Sequence, residues 1–467
     1  MSTWQRVHVN LRKAHGLFPV SSRRVTQPNT WKYGHVTLCK SLSTSRPLRN
    51  DFFKDLEVQL AAMRQKALDA LPGSDWSPLE MDRSLPPERA DVVIYSQAST
   101  VLSAGGIRQQ FSLPENICLS MASTQFMKNI NEHLHVLNED PVDLQFNHSG
   151  YLFLANEEVA HIMEENYKTQ RSFGAHVSLL SATQLKEKFP WINTDGVALA
   201  SYGLENEGWF DPWTLLHAFK RKALSLGAEQ CIGEVTDFKY TSNIATTAEG
   251  DQVAQSRITS VKVQVSNSLE YQPIECAIVV NAAGALSGKL AAMLGISLPV
   301  EPRKRYIYVF NCPDGPGLDT PFLIDCSGVW FRREGLGGNY IAGTSPEEAL
   351  EPDTSDLEVD YQFFEEKVWP HLASRVPALE KLKVTSAWAG FYDYNTFDQN
   401  GVIGLHPFLN NMFFATGFSG HGLQHSPAVG RAVAELIMEG NFTSIDLSNL
   451  SFRRIIQKEP MLERNIL

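Results

Sequence analysis

Hydrophobic residues follow two periods along this chain, one typical of helices and one typical of strands. Residues 52–71 carry apolar side chains every three or four positions, which predicts an amphipathic helix. A second helix is predicted over 156–172. Asp211 directly before Pro212 combines an N-cap residue with a proline in the first turn, so a third helix is predicted to begin there and to end at Gly227.

Apolar or alternating runs of strand length fill much of the remainder. DVVI at 91–94 is apolar apart from its aspartate, as in a buried strand, and residues 145–155 are predicted to form a hairpin that turns at Ser149-Gly150. Further strands are predicted at 228–240, 258–265, 270–280, within 303–345 and at 412–417, with a polar insertion at 241–256. Strands that alternate with helices, with separate β-rich stretches between them, predict an α/β core joined to an α+β domain.

The charged residues are distributed unevenly. The formal net charge is −11, from 41 basic and 52 acidic side chains. Residues 1–50 carry six Arg, three Lys and no acid, hence +9, so the remainder carries −20. A body this acidic argues against a nucleic-acid partner. The Arg-rich, Ser-rich and acid-free first 50 residues have the composition of a mitochondrial transit peptide, with a disordered basic tail as the alternative.

The spacing of the cysteines and the length of the apolar runs argue against two further features, a cysteine-based metal or redox site and a transmembrane helix. The six cysteines stand at positions 39, 118, 231, 276, 312 and 326, and no two of them have the C-x-x-C spacing of zinc or thioredoxin-like sites. We therefore expect no metal site. No run of about 18 apolar residues occurs, so any contact with a membrane is expected to be peripheral.

Three segments combine small residues with a change from strand to helix. The strand-like run at 277–280 leads into NAAG at 281–284, and GFSGHGLQ at 417–424 holds three glycines after another strand. Such turns let a ligand approach the backbone and expose N–H groups to an anion. A tight turn without a ligand is the alternative for the first of them. The third segment, 95–108, supplies short hydroxyl side chains and two glycines.

In this order, the three segments resemble those of the D-amino-acid oxidase-like family of FAD-dependent oxidoreductases, which includes sarcosine oxidase and dimethylglycine dehydrogenase. The resemblance covers residues 87–440 and is strongest in GEVTDF (233–238), VVNAAGALS (279–287) and the C-terminal run from SAWAGFYDYNTFDQNG to GFSGHGLQ. It is closer still to a mitochondrial branch of this family that is linked to the assembly of respiratory complex I, through RKRYIYVF, WFRREGLGGNYIAG, GFYDYNTFDQNG and GFSGHGLQ.

The resemblance implies FAD as cofactor and a discontinuous FAD-binding Rossmann domain of the glutathione-reductase type, joined to an antiparallel-sheet α+β substrate domain. The first βαβ unit of the Rossmann domain is expected to be truncated. The implied divisions are a transit peptide (1–50), a helix and linker (51–86), the incomplete FAD-binding domain (87–140, 209–299 and 385–440), a substrate or cap domain (141–208 and 300–384) and a C-terminal tail (441–467).

The resemblance also implies which residues contact FAD, and backbone N–H groups at the isoalloxazine edge are expected to face N1 and O2, where negative charge develops on reduction. The implied residues are Val235 at the adenine, Ala282, Ala283 and Gly284 at the ribose and diphosphate, Ser96, Ser99, Ala104, Gly105, Gly106 and Ile107 along the diphosphate and flavin, Gly417, Gly420, His421, Gly422, Leu423 and Gln424 at the isoalloxazine edge, and Asn400 near the flavin.

Catalytic residues are harder to assign. Members of the family transfer a hydride equivalent to the flavin from a C–H bond beside an amine nitrogen, and positioning contributes much of the catalysis, so no side-chain base is required. Candidates for binding a substrate carboxylate are Arg332, Arg333, Tyr392 and Tyr394, and His421 is a candidate beside the cofactor. A structural role is the alternative for each. GFYDYN stands where many related oxidases have an arginine, which argues against amino-acid oxidation.

One part of the family pattern is absent. The first strand should lead into G-x-G-x-x-G, a helix and a second strand that ends in an acid, about 30 residues in all. Here Ile94 is followed directly by Tyr95, and no glycine stands between Ser74 and Ala104. The diphosphate turn, the helix dipole aimed at it and the ribose carboxylate are therefore missing, through an omitted segment or a natural loss. We expect weak or no FAD binding by this chain.

Together these features predict a mitochondrial FAD-dependent oxidoreductase-like protein that is required for complex I assembly and lies in the matrix, associated with the inner membrane. Its expected partners are complex I subunits or assembly intermediates, with a small amine as a candidate substrate. The alternative is a metabolic flavin amine or N-methyl amino-acid oxidase or dehydrogenase. An NAD-dependent dehydrogenase is disfavoured, because that cofactor requires the same missing fingerprint.

Overall fold

The computed structural model describes residues 98–246, 252–265 and 271–464. The predicted transit peptide, the predicted helix at 52–71, the predicted strand at 91–94 and Ser96 lie outside the described residues.

The helices of the described residues are α1 (Pro114–Lys128), α2 (Ile130–Leu134), α3 (Ala160–Ser172), α4 (Ala182–Lys188), α5 (Pro212–Ser225), α6 (Ser287–Ala292), α7 (Tyr361–Phe363), α8 (Trp369–Arg375), α9 (Gly422–Glu439) and α10 (Arg453–Gln457). A π-helical turn at Phe364–Val368 joins α7 to α8, and short 3₁₀ turns occur at Gly284–Leu286, Glu348–Leu350, Pro377–Lys381 and Ser448–Leu450.

The strands are β1 (Gly106–Ile107), β2 (Tyr151–Ala155), β3 (Val177–Ser181), β4 (Leu199–Gly203), β5 (Gly208–Trp209), β6 (Gly233–Thr246), β7 (Gln252–Val265), β8 (Tyr271–Glu275), β9 (Val279–Asn281), β10 (Val300–Asn311), β11 (Phe322–Ile324), β12 (Trp330–Glu334), β13 (Asn339–Gly343), β14 (Lys383–Asn395), β15 (Val402–Leu405) and β16 (Met412–Thr416).

The large sheet has eight strands in the order β14-β10-β13-β12-β11-β2-β4-β3. Only β11 and β2 run parallel; every other neighbouring pair is antiparallel. Side chains alternate between its two faces. Leu152 and Leu154 join a core that includes Leu185 of α4 and Leu372 of α8, whereas Tyr151 points to the opposite face. Burial on both faces explains why β2 is apolar at every position.

The predicted hairpin at 145–155 is wrong. β2 is central in the large sheet and is hydrogen-bonded on both edges, to β4 and to β11. No edge is therefore left for residues 145–149, and Asn147 instead forms an isolated bridge with Trp209. Gly150, at the predicted turn, has φ at +85°, a conformation that favours glycine.

Three smaller sheets, β15-β16-β9, β6-β7-β8 and the two-stranded β1-β5, lie outside the large sheet in the described residues. In the first, β16 and β9 are parallel, and α9 follows β16 after the glycine turn. The predicted polar insertion at 241–256 is largely the outer part of β6 and β7. The predicted strand at 270–280 is two strands, because β8 pairs with β7 whereas β9 pairs with β16 in another sheet.

The predicted start and end of α5 are confirmed. Asp211 accepts hydrogen bonds from the N–H groups of Trp213 and Thr214, both at 3.1 Å, which satisfies two of the donors that a helix start leaves free. Gly227 follows the helix with φ at +86°, a conformation that favours glycine.

The predicted fold class is confirmed by a small α/β unit joined to a mostly antiparallel sheet that α4 and α8 cover on one face and α3 contacts on the other. The domain boundaries stay predictions. The predicted boundary between residues 384 and 385 falls inside β14, which pairs with β10 of the large sheet over most of its length. This strand therefore connects the two units rather than marking a break between them.

A buried ion pair holds the C-terminal residues to the loop after β14. Arg454 donates to Asp398 through Nε at 2.7 Å and Nη2 at 3.0 Å, and the two side chains are 4% and 0% exposed. Asp398 also accepts from Asn395 Nδ2 and the Met461 N–H, both at 3.0 Å. The carboxylate is thus fully compensated, but only while all these partners are in place.

Replacing Arg454 with methionine should lower the free energy of unfolding by about 3–5 kcal/mol, because the Asp398 carboxylate stays buried without its cation. Adding Asp398→Asn should restore part of that loss. The matched control is Arg464→Met, which breaks an ion pair with Glu165 whose side chains are 53% and 52% exposed and should cost under about 1 kcal/mol. Urea denaturation measures all three, and equal losses for the two arginine variants would contradict the prediction.

Candidate functional site

A cavity of about 960 Å³ lies between the large sheet and α9, near the upper limit of pockets that bind small molecules. Its polar end is formed by Arg108, Asp393 and residues 419–424. Its apolar end extends along α9 towards Ile437. Helix α9 rises about 22 Å from Gly422 to Ile437, so the cavity is long enough for an extended ligand.

One wall of the cavity is the face of the large sheet opposite α4 and α8. Because strand residues alternate between faces, every second residue of several strands reaches it. Aromatic rings dominate this wall, and the Tyr151 and Phe322 rings stack with centroids 4.4 Å apart. The wall residues are Tyr151, Phe153, Arg305, Ile307, Phe322, Ile324, Trp330, Gly390 and Tyr392.

The glycine turn between β16 and α9 covers the polar end. Gly417 and Gly420 have φ at +73° and +90°, and a Cβ on Gly420 would lie 2.3 Å from the Tyr392 ring. Glycine is therefore required there by conformation and by space. The Asp393 carboxylate accepts from the Phe418 N–H at 2.9 Å. Burial raises the pKa of Asp393 to about 6, against the opposing effect of backbone donors.

The first turn of α9 also faces the polar end. No side chain caps this helix among the described residues, so its first N–H groups are available to a ligand or to water. Residues 421–424 line the cavity, and the Gln424 side chain accepts from the Arg108 N–H at 2.9 Å. The helix start and the segment that carries Arg108 are thereby held together.

Arg108 is a cavity residue that sequence analysis missed. Its guanidinium lies over the rings of Phe111 and Phe153, at 4.5 and 4.7 Å from their centroids. It donates to the Gln110 carbonyl at 3.1 Å and to His421 Nε2 at 2.9 Å. Burial and this arginine hold the pKa of His421 well below its ordinary value, so its neutral ring accepts the hydrogen bond.

Arg108 has no carboxylate within salt-bridge distance among the described residues, whereas Arg305, another arginine of the cavity, is bound bidentately by Glu351 at 2.7 and 2.9 Å. A half-buried cation without a counter-ion favours an anionic ligand. The position of Arg108 directly after the implied flavin segment is a signal in the sequence. Its aromatic surroundings are not predictable from neighbouring residues, because Phe153 is distant in the sequence.

Glu207 is a second residue that the sequence did not indicate. Its side chain is 0% exposed and accepts from the Gln109 N–H and from Gln110 Nε2, both at 2.8 Å. A Cβ on Gly203 would lie 2.3 Å from its carboxyl group, so glycine makes the space it occupies. Burial raises the pKa of Glu207 to about 7. This buried acid fixes the backbone next to Arg108.

The structure brings many of the residues implied for FAD together at the cavity, although their binding to FAD stays a prediction. Those that line it are Ser99, Ala104, Gly106, Ala282, Gly284, Gly420, His421, Gly422, Leu423 and Gln424. Those that lie elsewhere are Gly105, Ile107, Val235, Ala283, Asn400 and Gly417.

Two of the residues that lie elsewhere have clear structural contacts. Val235 is buried in a hydrophobic core with residues of β7 and β16. Asn400 belongs to a buried polar network, in which it accepts from Asn116 Nδ2 at 2.7 Å and donates to the Met461 carbonyl. The cavity does not reach either residue, because side chains of the same network and core occupy the space around them.

The candidates for catalysis also divide into residues that line the cavity and residues that do not. Tyr392 and His421 line the cavity. Tyr394 lies under the Arg303 guanidinium, at 4.8 Å, and does not line it. Arg332 donates to the Ala104 carbonyl at 2.8 Å and pairs with Glu334.

Arg333 is also occupied by structural contacts. Its Nη1 donates to the Pro316 carbonyl at 2.6 Å and to the Tyr340 hydroxyl at 3.1 Å. Neither Arg333 nor Arg332 lines the cavity. Among Arg108, Arg332 and Arg333, Arg108 is therefore the one that lines the cavity.

The cavity fits one half of FAD. The glycine turn, the start of α9 and Gly284, whose missing Cβ would meet open space, suit a ring system that approaches the backbone. The other half requires a glycine-rich diphosphate turn and an acid for the ribose. The described part of the cavity includes Ser99, Ala282 and Gly284, which the resemblance implies for the ribose and diphosphate. It offers no G-x-G-x-x-G turn, so the residues present do not complete the diphosphate site.

Two kinds of feature are absent from the described residues. No group of three or more His, Cys, Asp or Glu side chains there is arranged to hold a metal ion. No helix in the same ranges combines the length and the hydropathy needed to cross a membrane.

Comparison with known proteins gives consistent similarities. The sequence model of the DAO family, described as FAD dependent oxidoreductase, matches residues 90–436. The chain is 59% identical to FAD-dependent oxidoreductase domain-containing protein 1 of Xenopus laevis, over 93% of this chain and 97% of that protein. The Bos taurus protein of the same name is 54% identical, over 88% and 94%. The crystal structure of L-proline dehydrogenase from P. horikoshii has a TM-score of 0.64 and 29% identity, over 78% of this chain and 89% of that one.

The pH dependence of stability should reveal the burial of Glu207. Its folded-state pKa of about 7 exceeds its ordinary value of 4.5, so its contribution to stability is complete below about pH 4.5 and is lost as the pH rises through about 7. Relative to Glu207→Gln, which does not titrate, the unaltered protein should lose about 3 kcal/mol of unfolding free energy between about pH 4.5 and about pH 8.

Urea denaturation at a series of pH values measures this difference between the two proteins. Asp393, whose pKa is also raised, is present in both and cancels. Glu187→Gln, at an exposed position, is the matched control and should show no such trend. A constant difference between the unaltered protein and Glu207→Gln would contradict the prediction.

Proposed function

This chain belongs to the DAO family of FAD-dependent oxidoreductases, and we propose that within this family it is a mitochondrial protein required for the assembly of respiratory complex I. The basic, acid-free first 50 residues support a place in the mitochondrial matrix, associated with the inner membrane. Its partners are then complex I subunits or assembly intermediates. The resemblance of RKRYIYVF and GFYDYNTFDQNG to the mitochondrial branch of the family supports the role in assembly.

The two unlike ends of the cavity favour a binding role over self-sufficient catalysis. The polar end keeps the glycine turn, the start of α9 and Arg108, which are the parts that recognise an anionic or ring-shaped ligand. The apolar end has no diphosphate turn among the described residues. A chain that retains the fold and the recognition surface without the complete cofactor site suits assembly better than turnover.

The alignment with the frog relative supports the loss of a segment. It has 483 positions, more than the 467 residues of this chain, although it covers 93% of them. The relative therefore carries residues at positions where this chain has none. Positions missing from this chain are consistent with the absence of the glycine segment after Ile94. The loss of that segment would in turn weaken or abolish FAD binding.

A metabolic flavin amine or N-methyl amino-acid oxidase or dehydrogenase is the second candidate. Arg108 favours it, since a guanidinium between two aromatic rings suits a substrate carboxylate. The aromatic wall that carries Tyr151 and Phe322 would exclude water from that site. A small amine that carries a carboxylate is the substrate class in this case. The function requires bound FAD, which would accept the hydride equivalent.

Purified protein should show no flavin absorption band, even after incubation with excess FAD and removal of the free cofactor. The reason is that the sequence after Ile94 lacks the G-x-G-x-x-G turn and the helix that would hold the diphosphate. The matched control is the same chain with a G-x-G-x-x-G segment inserted after Ile94, which should retain flavin. A stoichiometric flavin spectrum for the unaltered chain would refute the prediction and favour the metabolic candidate. Turnover of sarcosine or dimethylglycine by the purified protein would then test that candidate.

Knockout of the gene should lower the amount of complex I on blue-native gels, and expression of this chain should restore it. The chain with the inserted glycine segment and a chain without residues 1–50 serve as comparisons. Rescue by both the unaltered and the glycine-restored chain is expected, because the proposed role is binding. A normal amount of complex I in the knockout would count against the assembly role, and rescue by the restored chain alone would show that FAD is required.

A further inference from the structure

We propose that the C-terminal tail, residues 459–464, occupies a peptide-binding site, and that an extended segment of a protein partner with a carboxylate side chain displaces it. The site lies between the start of α1, α3 and the loop from β14 to β15. The inference goes beyond the role in complex I assembly and does not rest on it. It rests on how the described residues hold the tail and on how little of the tail is buried.

The site holds the tail largely through its main chain. The N–H and the carbonyl of Met461, and the N–H and the carbonyl of Arg464, all form hydrogen bonds with side chains of the site. These side chains, together called the tail site, are Asp398 and Asn400 at Met461, and Ser112 and Asn166 at Arg464. Every extended peptide carries such main-chain groups, so these contacts set its position and direction without selecting its side chains.

One side chain of the tail is recognised as well. The Glu463 carboxylate accepts from the N–H groups of Ser112 and Leu113 at 2.7 and 3.3 Å. It also accepts from the Ser112 hydroxyl and from Asn116 Nδ2, the latter at 2.6 Å. Leu113 at the N-cap of α1 supplies no side-chain acceptor, and the start of a helix favours an anion. A carboxylate at this position is therefore the feature that selects a partner segment.

The tail is held by hydrogen bonds more than by burial. Leu462 is 60% exposed, and Met461, which packs against the core around α9, is only partly buried. The ion pair of Arg464 with Glu165 is exposed to solvent. Segments with few buried apolar contacts open while the rest of the protein stays folded. The tail can therefore leave its site without rearrangement of a core.

A buried polar network connects the tail site to the glycine turn before α9. Asn400, which donates to the Met461 carbonyl, accepts at its own carbonyl from Asn395 Nδ2 at 2.6 Å. The Asn395 N–H in turn donates to the Ser419 hydroxyl of the turn at 3.0 Å. Asn395, Asn400 and Ser419 are 0%, 4% and 2% exposed. Loss of the tail removes an acceptor from this network, so the glycine turn loosens, and a bound partner segment restores it.

Fluorescence polarisation with a labelled, amidated peptide of residues 459–464 tests the proposal on the full chain. Binding to the unaltered chain should be weak, because its own tail competes at an effective concentration of about 1 mM. The double variant Met461→Pro with Glu463→Gln removes one main-chain donor and the carboxylate from the chain's own tail. It should bind the peptide saturably and about tenfold or more tightly than the unaltered chain.

Glu463→Gln alone is the second variant, because it leaves Asp398 with all its partners. It should also bind the peptide more tightly than the unaltered chain does. Circular dichroism confirms that each variant is folded. No gain of binding by a folded variant would overturn the proposal. A dimer of the unaltered chain that Glu463→Gln converts to a monomer in light scattering would overturn it too, because the site would then belong to the tail of a second copy.

Matched peptides test the selection of the carboxylate. Glutamine in place of Glu463 in the peptide should weaken its binding about tenfold or more, because the charge-assisted hydrogen bonds are lost. Glutamine in place of Glu459, an exposed residue, gives a peptide of the same net charge and should leave binding unchanged. Equal weakening by both changes would indicate a general electrostatic attraction and overturn the recognition of Glu463.

Variants of the protein test the site itself. Ser112→Ala, added to the double variant, should weaken peptide binding, because Ser112 contacts both Glu463 and the Arg464 N–H. Ser172→Ala, at an exposed position of α3, is the matched control and should not. Equal affinity of these two proteins for the peptide would place the peptide elsewhere on the molecule and overturn the assignment of the site.

Hydrogen exchange of residues 417–420 tests the connection to the glycine turn. Exchange should be faster in the double variant than in the unaltered chain, and saturating peptide should slow it again. Residues 199–203 of β4 serve as the internal reference and should not change. Equal exchange of the turn in all three samples would overturn the connection. The knockout experiment has a different readout, so either proposal can fail without the other.

Discussion

Residues 104–110 are hydrogen-bonded on two sides, and the cavity depends on this double attachment. On the side of the large sheet, Arg332 donates to the first carbonyl of the segment and Glu207 accepts from two of its later donors. On the other side, Gln424 of α9 accepts from the N–H of Arg108. The segment thus fixes the distance between the sheet wall and the helix. Loss of either attachment would let the two walls approach or separate.

The sequence predicted the features whose causes are local. The start of α5 depends on Asp211 and on the proline and backbone donors next to it, and the turn before α9 depends on glycines within a few positions. Both are as expected. Arg108 and Glu207 could not be found in this way, because their partners lie far away in the sequence: Gln424 follows Arg108 by 316 residues and Glu207 follows Gln109 by 98. Such side chains acquire a role only when the strands are assembled.

Motif resemblance located the cavity better than it located its chemistry. Its assignment of Asn400 and Val235 to a cofactor stays a prediction, and the two side chains lie in a polar network and in a hydrophobic core. Arg332 was a candidate for a substrate carboxylate with a structural role as the alternative, and its guanidinium donates to a backbone carbonyl. A motif records which residues recur in a family, but hydrogen-bond donors already satisfied by the protein are not available to a ligand. Whether a donor already has a hydrogen-bond partner can be determined only from the three-dimensional structure.

The shortened βαβ unit has a physical consequence at β9. This strand pairs with β16 on one edge, and among the described residues no strand pairs with its other edge. An unpaired edge leaves backbone donors and acceptors exposed and invites pairing with another chain. Val280 is partly exposed beside it, so apolar surface occurs next to backbone groups that have no strand partner within residues 98–246, 252–265 and 271–464. A ligand that covers the apolar surface would therefore stabilise the folded chain by mass action, and the same edge is a ready contact for a protein partner.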